Sequence, residues 1–427
     1  MATTAFSLSD FNAALKQVIQ PYIQDNVPSQ VKLLKVIKTN DNVQFFNNNF
    51  YFPVRSNRHG GVTNLANEKT KVVTGSAPTI QGAVTPKILT GTFDISDVVA
   101  KASANDRGAV ENAMTFQMRT LKSDFSKSVN RQYYSDGVGV VAMTNESGGS
   151  VGAGTIQIQY PNANVNTIDG RTTAYYGTTS GGINGDIKPG KYFAPGQVIG
   201  LGSAGTAIGT ISTVTSGTSL GTLVVTGAPA ILGSQPIYIL DGDANAAGTS
   251  EIQGMRLALS EGTGNYATLA RSYDVWSPQY MGTTQNQSLT INNMEIVYLS
   301  AYEYAQEGDR YAWFVNRSLY SKFGDLMTAL RRTVDKLELV SGWSGLAFEV
   351  GQGGNVPVML DFDVPDGEAI LLNLDTWTVC QVADMGFVED NALRRADYIT
   401  FQKVFSWYTN LANVAPAANG RMVRQTK

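Results

Sequence analysis

Cysteine and histidine are almost missing: Cys380 and His59 are the single representatives in 427 residues. One thiol cannot build an internal disulfide framework. A Cys/His zinc site needs three or four such ligands and is excluded as well. Nucleophilic chemistry of the Ser-His-Asp or Cys-His kind would have to run through His59. That residue sits in Arg55-Ser-Asn-Arg-His-Gly-Gly61, a polar, glycine-ended stretch, and reads as a solvated loop histidine. Charge is scarce too. Charged residues make up 16%, against about 25% in ordinary soluble domains. Lys plus Arg number 32 and Asp plus Glu 35, a net charge of −3. That balance excludes binding of nucleic acid through bulk positive charge. No run approaches the ~18 consecutive apolar residues of a membrane-spanning helix. The start, Met1-Ala-Thr-Thr-Ala-Phe-Ser, lacks the basic opening and apolar core of a signal peptide. A chain made in a cytoplasm and soluble there, without a membrane partner, is expected.

What is present is enough for a large core. Hydrophobic residues are 43%, which excludes a disordered chain, and the length allows two to four domains at ~100–200 residues each. Low charge beside an ordinary apolar fraction implies a surface covered by something else, most simply by neighbouring subunits.

Leu8, Phe11, Leu15, Val18, Ile19 and Tyr22 recur at helical spacing within 7–25. Residues 43–100 then hold two extended segments, Val43–Pro53 and Val84–Val99. A polar stretch from Arg55 to Gly82 separates them. That pattern predicts a stretched hairpin. Two strands alone are marginal in water, so such a hairpin must lie on something. The strongest helical signal covers 105–136, with Val110, Met114, Met118, Leu121, Phe125 and Val129 in one stripe. Asn105 or Asp106 can cap it and Asp136-Gly137 can stop it. Its other faces mix Arg107, Glu111, Arg119, Lys122, Asp124, Lys127 and Arg131, which reads as a solvated face.

Residues 147–250 differ from their surroundings, with 21 of the 43 glycines and seven charged side chains. Strand-like runs at Thr155–Tyr160, Gln197–Leu201, Ala207–Thr215, Thr222–Thr226 and Gln235–Leu240 predict a small all-β module. Further on, helical spacing covers the segment from Asn292 or Asn293 to Tyr304, and Leu319 to Leu337. Val356–Leu360 and Ala369–Leu374 read as strands around a turn from Asp361 to Gly367. Tyr398 to Leu411 reads as an aromatic-rich strand pair. The order is that of an α+β chain, not a doubly wound one.

Asp361, Asp363 and Asp366 are the one oxygen-rich cluster, able in principle to hold Ca²⁺ or Mg²⁺. The twelve-residue calcium-loop pattern is missing, and Pro365-Asp-Gly367 makes a good turn unaided. Gly351-Gln-Gly-Gly-Asn355 lacks the Lys-Ser/Thr and the helix of a phosphate loop and reads as a turn. Arg331-Arg332 and Arg394-Arg395 suit bidentate contacts to carboxylates or phosphates, as solvated surface or as intersubunit ion pairs. Arg55, Arg58, Lys69 and Lys71 of the hairpin tip are intersubunit candidates of the same kind. No catalytic constellation emerges, and no catalytic residue, metal or cofactor is expected.

Three stretches carry a family resemblance. Leu121-Lys-Ser-Asp-Phe-Ser-Lys-Ser-Val-Asn-Arg-Gln-Tyr-Tyr-Ser-Asp-Gly-Val-Gly139 resembles the end of the long spine helix in tailed-bacteriophage major capsid proteins. Asn355-Val-Pro-Val-Met-Leu-Asp-Phe-Asp-Val-Pro-Asp-Gly-Glu-Ala-Ile-Leu-Leu-Asn373 resembles their axial strand, acidic turn and strand. Ser406-Trp-Tyr-Thr-Asn-Leu-Ala-Asn-Val-Ala-Pro-Ala-Ala-Asn-Gly-Arg421 resembles their closing strand. The resemblance implies the Hong Kong ninety-seven-type capsid fold. It implies an N-terminal arm (1–47), an extended loop over a neighbour (48–100) and a spine helix with peripheral domain (101–146, returning at 251–285). It further implies an axial domain (286–395) and closing strands with a tail (396–427). The 147–250 module has no counterpart in the minimal fold and reads as an insertion.

The implied function is an icosahedral shell of hexamers and pentamers around double-stranded DNA, held without sequence-specific binding, in a virion assembled in a bacterial cytoplasm. Implied partners are a separate scaffolding protein, a portal protein and a decoration protein. The alternatives are an encapsulin-like compartment, a β-rich surface adhesin, and a metal enzyme working through Asp361 and Asp363.

Overall fold

The computed structural model describes residues 33–40, 44–65, 67, 71–72, 74–103, 113–145, 154–159, 184, 186, 188–202, 206–217, 220–227, 235–240, 251–260, 264–282, 287–329, 337–339, 343–350, 354–388, 393–394 and 399–427. The amphipathic segment 7–25 lies outside them.

Alternating apolar residues make Thr400–Asn413 one 14-residue strand, not a strand pair. It is the spine of a six-stranded sheet. Lys87–Ser96 runs antiparallel to it from Thr409↔Lys87 to Thr400↔Ser96. Trp377–Gln381 continues the pairing at its other end and carries Lys38–Asn40 in parallel. Phe405 and Trp407 point to the main core. The helix Ala113–Tyr133 covers this face, with the Phe125 ring edge-on to Phe405 at 4.9 Å. Gly91 permits the close approach: a Cβ there would lie 2.8 Å from Leu121 Cδ1.

This helix is the long one that the spacing predicts, over 21 described residues, about 31 Å at ~1.5 Å per residue. Residues 104–112, with Val110 and the candidate caps, lie outside the described set. Its end comes before Asp136, because Tyr134 and Ser135 turn tightly, their N–H groups donating to Arg131 and Gln132 carbonyls at 3.1 and 3.0 Å.

The hairpin differs from expectation in its return strand. Asn49–Arg55 pairs with Thr79–Val84, from Phe50↔Val84 to Arg55↔Thr79. Pro86 cannot donate to a ladder and interrupts the chain there, so Lys87–Ser96 joins the central sheet. The hairpin's base is anchored: Phe50, Phe52 and Val84 are buried, and Phe52 stacks on Trp276 at 6.2 Å.

The Gly/Thr-rich module is a closed six-stranded barrel. Its strands are Val140–Thr144, Thr155–Gln159, Val198–Leu201, Thr206–Ser216, Gly221–Val225 and Pro236–Leu240. The barrel therefore begins at Val140, ahead of the composition change at 147. Ile156, Ile158, Ile199, Ile211, Leu223 and Ile237 fill it.

A seven-stranded sheet forms the remaining layer. Its order is Gln279–Met281, Gly420–Met422, Ala369–Asn373, Tyr311–Val315, Gly354–Leu360, Trp343–Val350 and Leu337–Leu339. Tyr311–Val315 and Ala369–Asn373 are buried throughout. Trp313 and Val315 face the helices Ile291–Tyr302 and Arg317–Ala329, while Ala312 and Phe314 face the main core. Thr290, not Asn292 or Asn293, caps the first helix, its Oγ1 accepting from the Asn293 N–H at 3.2 Å. The second spans residues 317–329 among those described, while Leu337, expected at its end, lies in a strand paired with Gly345.

Candidate functional site

Asp361–Glu368 forms the turn between two central strands of this sheet, and four parts of the chain converge on it. The Asp361 carboxylate accepts from Tyr134 Oη at 3.1 Å and from its own turn through the Asp363 N–H at 3.0 Å. Asn130 Nδ2, on the long helix, reaches Asp361 at 3.3 Å and Asp363 at 2.7 Å. From the barrel come Lys191 Nζ, 2.6 Å from Asp363, and Tyr192 Oη, 3.0 Å from it. Asp366 accepts from the Asn184 N–H at 2.8 Å and from Asn316 Nδ2 at 3.4 Å. Glu368 takes a two-pronged contact from Arg421, at 3.0 and 2.8 Å. Asp186, also from the barrel, accepts the Ser318 N–H at 2.8 Å and Ser318 Oγ at 2.6 Å, supplementing the N-terminus of Arg317–Ala329.

The stem of the barrel is fixed just beside this joint. Arg131 pairs with Glu251 and lies over the Tyr192 ring. Gly254 lets the returning chain cross the helix end, where a Cβ would meet three carbonyl oxygens at 2.4–2.6 Å.

Burial pushes the Asp361 carboxyl above its ordinary pKa, and the neighbouring Asp363 charge adds to the rise. Asp366 is raised by burial and then by Asp186. At the sheet edge Asp375 is held well below the carboxylate range, chiefly by its hydrogen bonds from Arg310, with Lys38 assisting. Burial pushes the Cys380 thiol up to about 12, leaving it protonated and unreactive at neutral pH.

The carboxylates of the turn are thus spent on protein donors. Asp361 is 1% exposed and Asp366 0%, so neither faces a space that a substrate could enter. Among the described residues no group of three His, Cys, Asp or Glu is disposed to hold a metal ion. The arrangement is chemically a joint. Sequence reasoning found the turn but not Asn130, Asn184, Asp186, Lys191, Tyr192 or Arg421. One signal was available: Asp186, Lys188 and Lys191 are three of the seven charges in 147–250.

Of the expected contact residues, Arg55 ends the strand Asn49–Arg55, Arg58 and Lys71 lie in the segment beyond it, and all three are exposed. Arg55 Nε donates to the Asn57 carbonyl at 3.0 Å. Arg394 lies in a short strand paired with Phe401. Lys69, Arg331, Arg332 and Arg395 lie outside the described residues. The tip also exposes Val62 (86%), Val72 (63%) and Leu65 (43%).

No protein-family model matches the chain, and no curated protein matches it in sequence. Solved structures do. The capsid of cyanophage A-1(L) superposes with a TM-score of 0.55 at 11% identity, covering 99% of each chain. This chain has the phage-capsid fold. Two further structures align at a TM-score of 0.47. One is an empty GTA particle capsid, at 11% identity over 100% of both chains. The other is the holo-SrpI encapsulin complex of Synechococcus elongatus, at 8% identity over 95% of this chain and 92% of that one. The α+β capsid fold with long helix and extended hairpin is the one that the sequence resemblance implies, and the all-β module is the one that the strand-like runs predict.

Proposed function

We propose that the chain is the major capsid protein of a tailed bacteriophage. On this reading it assembles with copies of itself, as hexamers and pentamers, into an icosahedral head around double-stranded DNA. The observation that carries the reading is the hairpin tip. Its base is held in the core, while its far end offers Val62, Leu65 and Val72 to solvent and buries none of them. An exposed apolar tip on a two-stranded arm is costly in a monomer and useful where a neighbour covers it. The low charge of the chain fits a surface largely consumed by obligate interfaces.

In the proposed subunit, 48–100 is the extended loop. The helix from 113 belongs to the peripheral domain, 286–395 to the axial domain, and the barrel is an insertion tied to the axial turn. The proposed partners of such a head are a separate scaffolding protein and a portal protein, with a decoration protein as a further candidate. Particles recovered from the producing host test this reading. They should carry this chain as their most abundant protein and enclose nuclease-protected double-stranded DNA. A shell filled with a single protein cargo and no DNA would contradict it.

A further inference from the structure

The helix Ile291–Tyr302 buries Met294, Val297, Tyr298 and Ala301 on the axial sheet. Its opposite stripe is apolar and uncovered: Ile296 is 47% exposed, Leu299 44% and Tyr302 42%, followed by Tyr304 at 38%. Spacings of three place the first three on one face. The charge at the helix end runs against expectation. Carbonyl groups give a helix C-terminus partial negative charge, which favours cations. Here the last turn has no basic residue, Glu303 is the C-cap, and Glu307 follows; both are exposed. Among the described residues no cation forms an ion pair with either. The chain therefore concentrates negative potential beside an apolar stripe, a surface suited to a partner that is both basic and apolar.

The hairpin tip has that chemistry. Between Arg55 and Pro78 the sequence carries Arg55, Arg58, Lys69 and Lys71 against the single acid Glu68. The described basic residues, Arg55, Arg58 and Lys71, are exposed together with Val62, Leu65 and Val72. Both surfaces are uncovered in one and the same chain, so the pairing is between chains. Two different, mutually complementary patches on one protein make a head-to-tail contact, which closes into rings when the rotation permits.

We propose that the hairpin tip of one copy docks on the acidic, apolar end of helix Ile291–Tyr302 in the next copy. The proposal rests on the reading of the chain as a shell subunit. Charge exchange tests it. Glu303→Lys with Glu307→Lys, and separately Arg58→Glu with Lys71→Glu, should each lower the assembled fraction about tenfold in sedimentation at physiological salt. Combining all four should restore most of it. Wild-type shells alongside fully assembling single-side variants, or a combination no better than either side alone, would overturn the docking while leaving the shell reading intact. Failure of the wild type to form shells in any condition would instead sink that reading. A second measurement does not depend on charge-reversed variants. Because Cys380 is buried, Lys71→Cys mixed with Glu303→Cys should give a disulfide-linked dimer under mild oxidation, and neither alone should. No cross-linked dimer from the assembled mixture would count against the docking.

Discussion

Arg421 and Glu368 have side chains 1% exposed and bind each other through two hydrogen bonds. Glu368 keeps a second, longer partner in Arg256, 3.5 Å away, so Arg421→Ala should cost ~3 kcal/mol in chemical denaturation, the lower end of the range for breaking a buried pair. Glu368→Ala, which takes the carboxylate from both arginines, should cost more than Arg421→Ala; a smaller loss would contradict this account of the group. Asp366 gives a pH test. Its pKa is raised by burial, so the folded state holds its proton more tightly than the unfolded state does. Its contribution to stability therefore grows as pH falls through the raised value and levels off near the ordinary carboxylate range of ~3.9. Relative to Asp366→Asn, the wild type should gain stability between pH 7 and pH 4, read from urea midpoints. A flat difference would contradict the burial. The acidic turn itself was visible in the sequence, but its role was not. Whether Asp361 and Asp363 hold a cation or a neighbour depends on donors such as Asn130 and Lys191, distant in sequence, and no local pattern announces those.

Elements were legible where the signal is local. Five of the six barrel strands fall within a residue of the alternating runs, because pleated burial demands alternation and the intervening turns demand glycine; the first, Val140–Thr144, lies ahead of the composition change and was not among those runs. The long helix was legible from its stripe. Pairing partners were not: nothing near Lys87–Ser96 says that its ladder lies with Thr400–Thr409, at the other end of the chain. The capping contact on Arg317–Ala329 was equally hidden, since Asp186 comes from the barrel. Asp186→Ala should cost ~1 kcal/mol and speed amide exchange in the first turn of that helix; unchanged protection would argue against the contact. Replacing residues 57–77 by a two-residue Asn-Gly turn removes the exposed tip but keeps the ladder below it and the Phe52–Trp276 stack. The variant should stay folded, with a melting temperature near the wild type's, and should fail to form shells. Normal shells from it would overturn the intersubunit role of the hairpin.

At the scale of the whole molecule, the long helix, the seven-stranded sheet and the barrel meet at one acidic turn, so the all-β module is bound into the rest of the chain through Asn184, Asp186, Lys191 and Tyr192. Among the exposed apolar surfaces are the hairpin tip and the outer stripe of Ile291–Tyr302, on opposite sides of the proposed contact. On the proposed reading, copies of the same chain cover these surfaces. The most direct test is negative-stain electron microscopy of the purified full chain, with light scattering on the same sample, with and without the candidate scaffolding protein. Closed particles tens of nanometres wide are the expected result. A monodisperse monomer under both conditions would contradict the account.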